Sequence, residues 1–154
     1  TDQTNMKNSI LTLFLFIVFT SCEEKSNCDD LMCDIAIPYV TLNIVDSESG
    51  ENLFYNGTYT LNDVQLLNQN NESVVVRLTL QNKLESAIGD IEGNNQYRLL
   101  ISPNLEILIN TVVTRGDDPC CSSPNLVSFE VLNYEFEKND EENYERNYTI
   151  FITN

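Results

Sequence analysis

Five cysteines are the side chains of this chain best suited to chemistry. Cys28 and Cys33 lie near the N-terminus, and Cys120 and Cys121 are adjacent in a loop rich in Asp, Pro and Ser. Closely spaced cysteine thiolates bind zinc in many proteins. Two adjacent cysteines chelate poorly as a pair, however, so the spacing favours disulfide bonds over a metal site or a redox pair.

The connectivity of these disulfides is open from the sequence alone. When Cys22 is set aside for the role described below, the other four cysteines allow three connectivities. Two of these join residues 28–33 to residues 120–121, and the third consists of the local pairs Cys28–Cys33 and Cys120–Cys121. We predict at least one long-range bond, which would stabilise the fold by roughly 4–5 kcal/mol in the chain-entropy model.

Histidine is absent from all 154 residues. This absence excludes Ser-His-Asp and Cys-His nucleophile pairs and histidine-ligated catalytic zinc. Glycine-rich phosphate-binding motifs are absent as well. Paired carboxylates could still hydrolyse a glycosidic bond, but no spacing in the chain indicates such a pair. We therefore predict no catalytic residues and no enzyme, with a small glycosidase-like hydrolase as the alternative.

Residues 90–95 are the segment most similar to part of a calcium-binding loop. An EF-hand needs Gly at its sixth position and Glu at its twelfth. Counted from Asp90, Gly93 comes fourth and the twelfth residue is the apolar Ile101. We interpret the acidic clusters as solvated turns and predict no metal and no cofactor. A loose calcium site at one end of the domain, as in a calcium-dependent glycan-binding module, is the alternative.

The first 22 residues predict export. Lys7 precedes an apolar run over residues 10–19, and the small residues Thr20 and Ser21 come before Cys22. This order is typical of a signal peptide, and the run is too short to span a bilayer. The sequence Phe-Thr-Ser-Cys at residues 19–22 resembles the lipobox of bacterial lipoprotein precursors of the Bacteroidota type. The resemblance implies cleavage before Cys22 and a lipid on its sulfur.

The predicted organisation has three parts. Residues 1–21 are an upstream gene-call extension and a helical lipoprotein signal peptide, residues 22–33 are a lipidated acidic tether, and residues 34–154 are the folded domain. Glu23 and Glu24 beside Cys22 resemble the acidic signal that sends such lipoproteins to the cell surface. We therefore expect an outer-membrane lipoprotein exposed at the surface, with the periplasm-facing orientation as the alternative.

The chain has a net charge of −16. Loss of Asp2 and Lys7 with the leader leaves this charge unchanged. Such a charge repels nucleic acid and anionic lipid surfaces. The lipid is then the only membrane attachment that we expect, and an envelope protein or a glycan is the expected partner.

Apolar residues alternate with polar residues over most of the chain after residue 33, a pattern that predicts half-buried strands. We predict about seven strands, near residues 40–44, 58–67, 74–81, 97–101, 105–109, 127–136 and 148–152. The apolar phase shifts between Val131 and Leu132, which predicts a bulge or a strand that changes sheets. Residues 92–95 are predicted to form a loop.

The strand pattern predicts an all-β domain, an antiparallel two-sheet β-sandwich of Ig-like or transthyretin-like type, with a partly closed barrel as the alternative. Residues 40–53 resemble the opening of transthyretin-like and carboxypeptidase-regulatory-like sandwiches. Most tyrosines occupy strand positions typical of core packing, and a tyrosine-lined glycan surface is the alternative. The predicted function is a non-catalytic binding or structural module of the cell envelope.

Overall fold

The computed structural model describes Cys33 and residues 37–118, 120–139 and 146–153. The predicted leader, the predicted lipidation site Cys22 and the disulfide candidate Cys28 lie outside the described residues. No helix in the described ranges is long and apolar enough to cross a membrane.

The described residues form ten strands and one 3₁₀ turn, Leu61–Asp63. The strands are β1 (Val40–Asp46), β2 (Val64–Asn68), β3 (Ser73–Val74), β4 (Val76–Leu78), β5 (Leu84–Ser86), β6 (Gly93–Ile101), β7 (Leu105–Arg115), β8 (Pro124–Val131), β9 (Glu135–Asn139) and β10 (Arg146–Ile152). Sheet 1 has the order β4-β5-β1-β10-β9, and sheet 2 has the order β3-β2-β6-β7-β8. The predicted all-β architecture with two packed sheets is confirmed.

One hydrophobic core lies between the two sheets. Every second residue of a long strand faces it, as in β6, where Tyr97, Leu99 and Ile101 are buried and their neighbours are more exposed. Burying one such side chain contributes about 1.5–3 kcal/mol. Burial also raises the pKa of the Tyr97 hydroxyl, and the nearby Asp90 carboxylate adds to that effect. The alternation that predicted the strands therefore reports which side chains fill this core.

The first and last strands pair in parallel at the centre of sheet 1. The register runs from Val40 opposite Arg146 to Asp46 opposite Ile152, whereas the other ladders in the described residues are antiparallel. The prediction of a purely antiparallel sandwich is therefore wrong in sheet 1. Parallel neighbours need a long crossover connection. Nearly the whole domain provides it here, so no local pattern could reveal the pairing.

The predicted strand at residues 74–81 is two strands in different sheets. β3 belongs to sheet 2 and β4 to sheet 1, and the chain crosses between them at Val75, whose carbonyl accepts a hydrogen bond from the Ser86 hydroxyl at 2.8 Å. Val74, Val76 and Leu78 all face the shared core. Every second residue therefore continues to face the core as the chain passes from one sheet to the other. Alternation alone could not separate the two strands.

The other differences from the predicted strands have equally local causes. The phase shift after Val131 marks the passage of the chain from β8 in sheet 2 to β9 in sheet 1, which confirms the predicted change of sheet. β5 was not predicted because three residues are too few to show a period. Three strands are thus added to the predicted seven: β5, β9 as a strand separate from β8, and β4 as a strand separate from β3. The total is ten.

The loop predicted at residues 92–95 is also wrong, because Gly93, Asn94 and Asn95 open β6. Glycine and asparagine are poor strand formers. Pairing with β7, in which Asn95 lies opposite Thr111, overrides that preference. The Asn95 amide is buried and donates to the carbonyl of Ile91 at 2.6 Å, which satisfies a polar group inside the domain.

Candidate functional site

A long-range disulfide joins Cys33 to Cys121. The two residues are 88 positions apart in the sequence, and their Cα atoms are 5.3 Å apart, inside the range that a disulfide needs. Cys120 is also disulfide-bonded. The predicted bond between the N-terminal segment and the loop at residues 116–123 is confirmed, and the purely local pairing of the cysteines is excluded. Cys28 lies outside the described residues.

Asp118 shapes the turn that presents the two adjacent cysteines. Its Oδ1 atom accepts hydrogen bonds from the backbone N–H groups of Cys120 at 2.8 Å and Cys121 at 3.0 Å. The N–H of Cys120, and next that of Cys121, lower the pKa of the Asp118 carboxyl from 3.8. A lowered pKa means that the ionised form favours this turn at neutral pH and that the effect is lost as the pH falls through the lowered pKa.

Cys33 makes a second contact with the same loop. Its Sγ atom lies 3.1 Å from the carbonyl oxygen of Cys120. Because an oxidised sulfur carries no proton, this is a packing contact and not a hydrogen bond. The contact shows that the N-terminal segment lies directly against the backbone of the cysteine loop.

Pro38 provides another point at which the N-terminal segment packs against the domain. A Cβ atom on Gly89 would lie 2.7 Å from the Cγ atom of Pro38 and 2.9 Å from its carbonyl oxygen. Only glycine allows this close approach. The N-terminal segment is therefore fastened covalently at Cys33 and by packing at Pro38. We call the end of the sandwich that carries Cys33, Gly89 and residues 116–123 the tether end.

Arg115 links the loops at the tether end. Its guanidinium donates to the carbonyls of Ser122 at 3.4 Å and Asp90 at 3.3 Å, and it lies 4.0 Å from the carboxylates of Asp90 and Glu92. Both carboxylates belong to residues 90–95, the segment most similar to part of a calcium-binding loop, and both face the positively charged Arg115 guanidinium. No group of three or more His, Cys, Asp or Glu side chains that could hold a metal occurs in the part of the chain that the structure describes.

A groove of about 350 Å³ lies on the outer face of sheet 2. β6, β7 and β8 supply most of its wall, and the loop after β2 supplies the rest. Its lining residues are Gln69, Asn94, Asn95, Gln96, Asn110, Thr111, Val112, Ser128 and Glu130. A volume of this size is within the usual range for a small-ligand site.

Side-chain amides give the groove its chemical character. Gln96 and Asn110 lie opposite each other on β6 and β7, and the Gln96 Nε2 atom donates to the Asn110 Oδ1 atom at 3.3 Å. Each amide offers two donor hydrogens and an acceptor oxygen. Glu130, opposite Asn110 on β8, is the one carboxylate among the lining residues. The groove is thus built to exchange hydrogen bonds with neutral polar groups.

A smaller groove of about 110 Å³ adjoins the first one, and Gln69, Asn95 and Gln96 line both. Glu72 is the carboxylate of this second groove. The two grooves together form a polar strip across the N-terminal half of β6. This strip could not be predicted from the sequence, because outward-facing Asn and Gln on strands resemble an ordinary solvated face until the strand register places them side by side.

Tyr97 is the one tyrosine among the lining residues of these two grooves, and it is only 1% exposed. Tyr97 and Tyr148 are in the core, and Tyr59 and Tyr134 pack against it, which confirms the prediction that most tyrosines serve in packing. Tyr148 stacks on Phe129 with ring centroids 3.9 Å apart. Tyr144 lies outside the described residues. Two exposed tyrosines remain, Tyr39 and Tyr55.

We expect Cys28 to be the disulfide partner of Cys120, so that two bonds close nearly the same long loop. Cys33→Ser then removes only a small extra ring and should cost roughly 2 kcal/mol, whereas Cys120→Ser with Cys121→Ser, which leaves the loop without a cysteine, should cost more than twice as much. Urea denaturation of the oxidised proteins measures both values. Cys121→Ser, which deletes the same bond as Cys33→Ser, is the matched control. A full loss of 4–5 kcal/mol in either single variant would contradict the double closure.

Comparison of this chain with models of known protein families, with curated proteins and with solved structures finds no match. The function is therefore inferred from the amide-lined groove, the disulfide-bonded tether end and the charge of the chain.

Proposed function

We propose that this protein is a lipid-anchored lipoprotein of the cell envelope and that its β-sandwich is a non-catalytic binding module for a neutral, polyhydroxylated ligand such as a glycan. The amide-lined groove on sheet 2 is the observation that carries this proposal. It is open at the surface, and the rigid ladders of β6, β7 and β8 hold its side chains in place.

The chemistry of the groove favours a neutral ligand. Sugar hydroxyl groups both donate and accept hydrogen bonds, and the side chains of Gln96, Asn110 and Ser128 do the same. An anionic ligand would meet Glu130 in the groove and a chain of net charge −16 around it. Hydrolysis of a glycosidic bond needs two carboxylates that face each other across the scissile bond. Glu130 has no second carboxylate beside it among the groove's lining residues, which supports binding without catalysis.

The disulfide at Cys33 supports a short tether. Cys33 lies 11 positions after Cys22, the proposed site of the lipid, so ten residues separate the two. Fully extended, they span at most about 40 Å. The tether end would then face the membrane, and the opposite end of the sandwich would point away from it. We place the protein in the outer membrane, exposed at the cell surface, with the acidic pair after Cys22 as the reason for that orientation.

We also propose that the sandwich is of the Ig-like or transthyretin-like class. The support is the arrangement of two five-stranded sheets around one core. The segment at residues 40–53, whose sequence resembles the opening of transthyretin-like sandwiches, forms β1 and the turn after it.

The anchor is tested at Cys22. Cells that express the full chain and are fed a fatty-acid analogue should label the wild-type protein and leave Cys22→Ser unlabelled and outside the membrane fraction. A second variant, Cys28→Ser, controls for the general loss of a cysteine and should keep both label and membrane association. Retention of the label and of membrane association by Cys22→Ser would overturn the lipoprotein proposal.

The groove is tested by titrating the purified protein with neutral oligosaccharides derived from mannan, xylan, starch and cellulose in a calorimeter. Combined Gln96→Ala and Asn110→Ala substitutions should weaken binding about tenfold or more, because each lost hydrogen bond is worth about 0.5–1.5 kcal/mol. Gln65→Ala is the matched control, because Gln65 lies on the same sheet but does not line the groove. Equal affinity in the double variant, or no binding of any neutral oligosaccharide, would contradict this proposal.

A further inference from the structure

At the end of the sandwich away from Cys33, the side chain of Asn52 ties two loops together. Its Nδ2 atom donates to the Asn43 Oδ1 atom at 2.6 Å and to the carbonyl of Asn82 at 3.1 Å. Its Oδ1 atom accepts from the backbone N–H groups of Phe54 at 2.8 Å and Tyr55 at 2.7 Å. All the hydrogen-bonding capacity of one amide is thus used to fix the two loops against β1.

The loops that Asn52 fixes display large apolar side chains to water. Tyr55 is 79% exposed in the first loop, and Leu80 is 97% exposed in the β4–β5 hairpin that contains Asn82. Phe54, next to Tyr55, is 6% exposed and belongs to the core. The first loop is therefore anchored in the core by the Phe54 ring, and it exposes the ring of the next residue, Tyr55, to water. Because these hydrogen bonds already fix the backbone of the loops, binding would have to order mainly the side chains, which favours affinity.

Charged residues around these side chains are predominantly acidic. Residues 46–63 contain Asp46, Glu48, Glu51 and Asp63 and no Lys or Arg, whereas the hairpin contributes Lys83. A second copy of this chain, also at −16, would be repelled from this end. A partner that complements this end therefore needs positively charged residues around an apolar contact.

We infer that Tyr55, Leu80, Glu48 and Glu51 form a docking surface, here called the tip surface, for a basic segment of another protein that also carries apolar side chains. Tyr55 and Leu80 supply the apolar contact, and the acidic residues supply attraction and orientation. The tip surface is separate from the groove on sheet 2 and lies at the opposite end from the Cys33–Cys121 disulfide. A lipid-anchored protein would present it to partners beyond the membrane surface.

The test uses the full lipoprotein in detergent and fluorescein-labelled peptides of about 12 residues that combine Lys and Leu. A matched peptide set replaces every Lys by Gln. We expect the basic peptides to bind by fluorescence anisotropy and the Gln set to bind at least tenfold more weakly. Tyr55→Ser and Leu80→Ser should each weaken binding of the basic set about tenfold or more, as at an interface hot spot.

Two controls separate a specific surface from diffuse attraction by an acidic protein. Val127→Ser changes an exposed apolar residue of β8, which is 59% exposed, and should leave binding unchanged. Glu51→Gln keeps an acceptor for the Asn56 amide, which donates to Glu51 at 3.2 Å, and should reduce the salt dependence of binding. The proposal is overturned if no basic peptide binds, or if Tyr55→Ser and Leu80→Ser bind as wild type does. Oligosaccharide binding should be the same in all these variants.

Discussion

Parallel pairing of β1 with β10 holds the first strand of the described domain against the last and thereby joins the two parts of sheet 1, β4-β5-β1 and β10-β9. Parallel strands are normally buried on both faces, and these two follow that rule. Leu42, Ile44 and Ile150 face the core, while Thr41 and Thr149 are nearly as inaccessible on the other side. The Thr149 hydroxyl accepts amide hydrogens from Asn43 at 3.4 Å and Asn139 at 3.0 Å. Hydrogen bonds therefore join β1, β10 and β9 on the outer face, as packing joins β1 and β10 on the inner one.

The direction of β1 decides where the functional regions lie. β1 starts beside the N-terminal segment, which is fixed by the Cys33–Cys121 disulfide and by Pro38 against Gly89. It ends at Asp46, next to the loop that Asn52 organises. The tether and the tip surface are therefore at opposite ends of one strand. The groove lies on the outer face of sheet 2, on strands with which β1 does not pair.

The sequence predicted those features that depend on neighbouring residues. Alternation located the core positions of β6, β7 and β10, because a sheet with one buried face imposes period two on each long strand. The even number of cysteines left after Cys22, together with the predicted export, predicted at least one long-range bond but not which cysteines it joins. The crossing of the chain from sheet 2 to sheet 1 at Val75 was not predicted, because every second residue faces the core both before and after it. The parallel pair and the amides of Gln96 and Asn110 depend on register between distant segments, which composition and period do not encode.

Native-state hydrogen exchange tests most directly whether the β1–β10 pair holds the domain together. If it does, the slowest amides of β1 and β10, such as those of Leu42, Ile44 and Ile150, should exchange only through global unfolding. They should then share the opening free energy of the slowest amides in β6 and β7, while those of β4 and β9 at the edges exchange faster. Exchange of β10 amides through a local opening, several kcal/mol below that of β6 and β7, would show that sheet 2 is stable without the pair and would contradict this account.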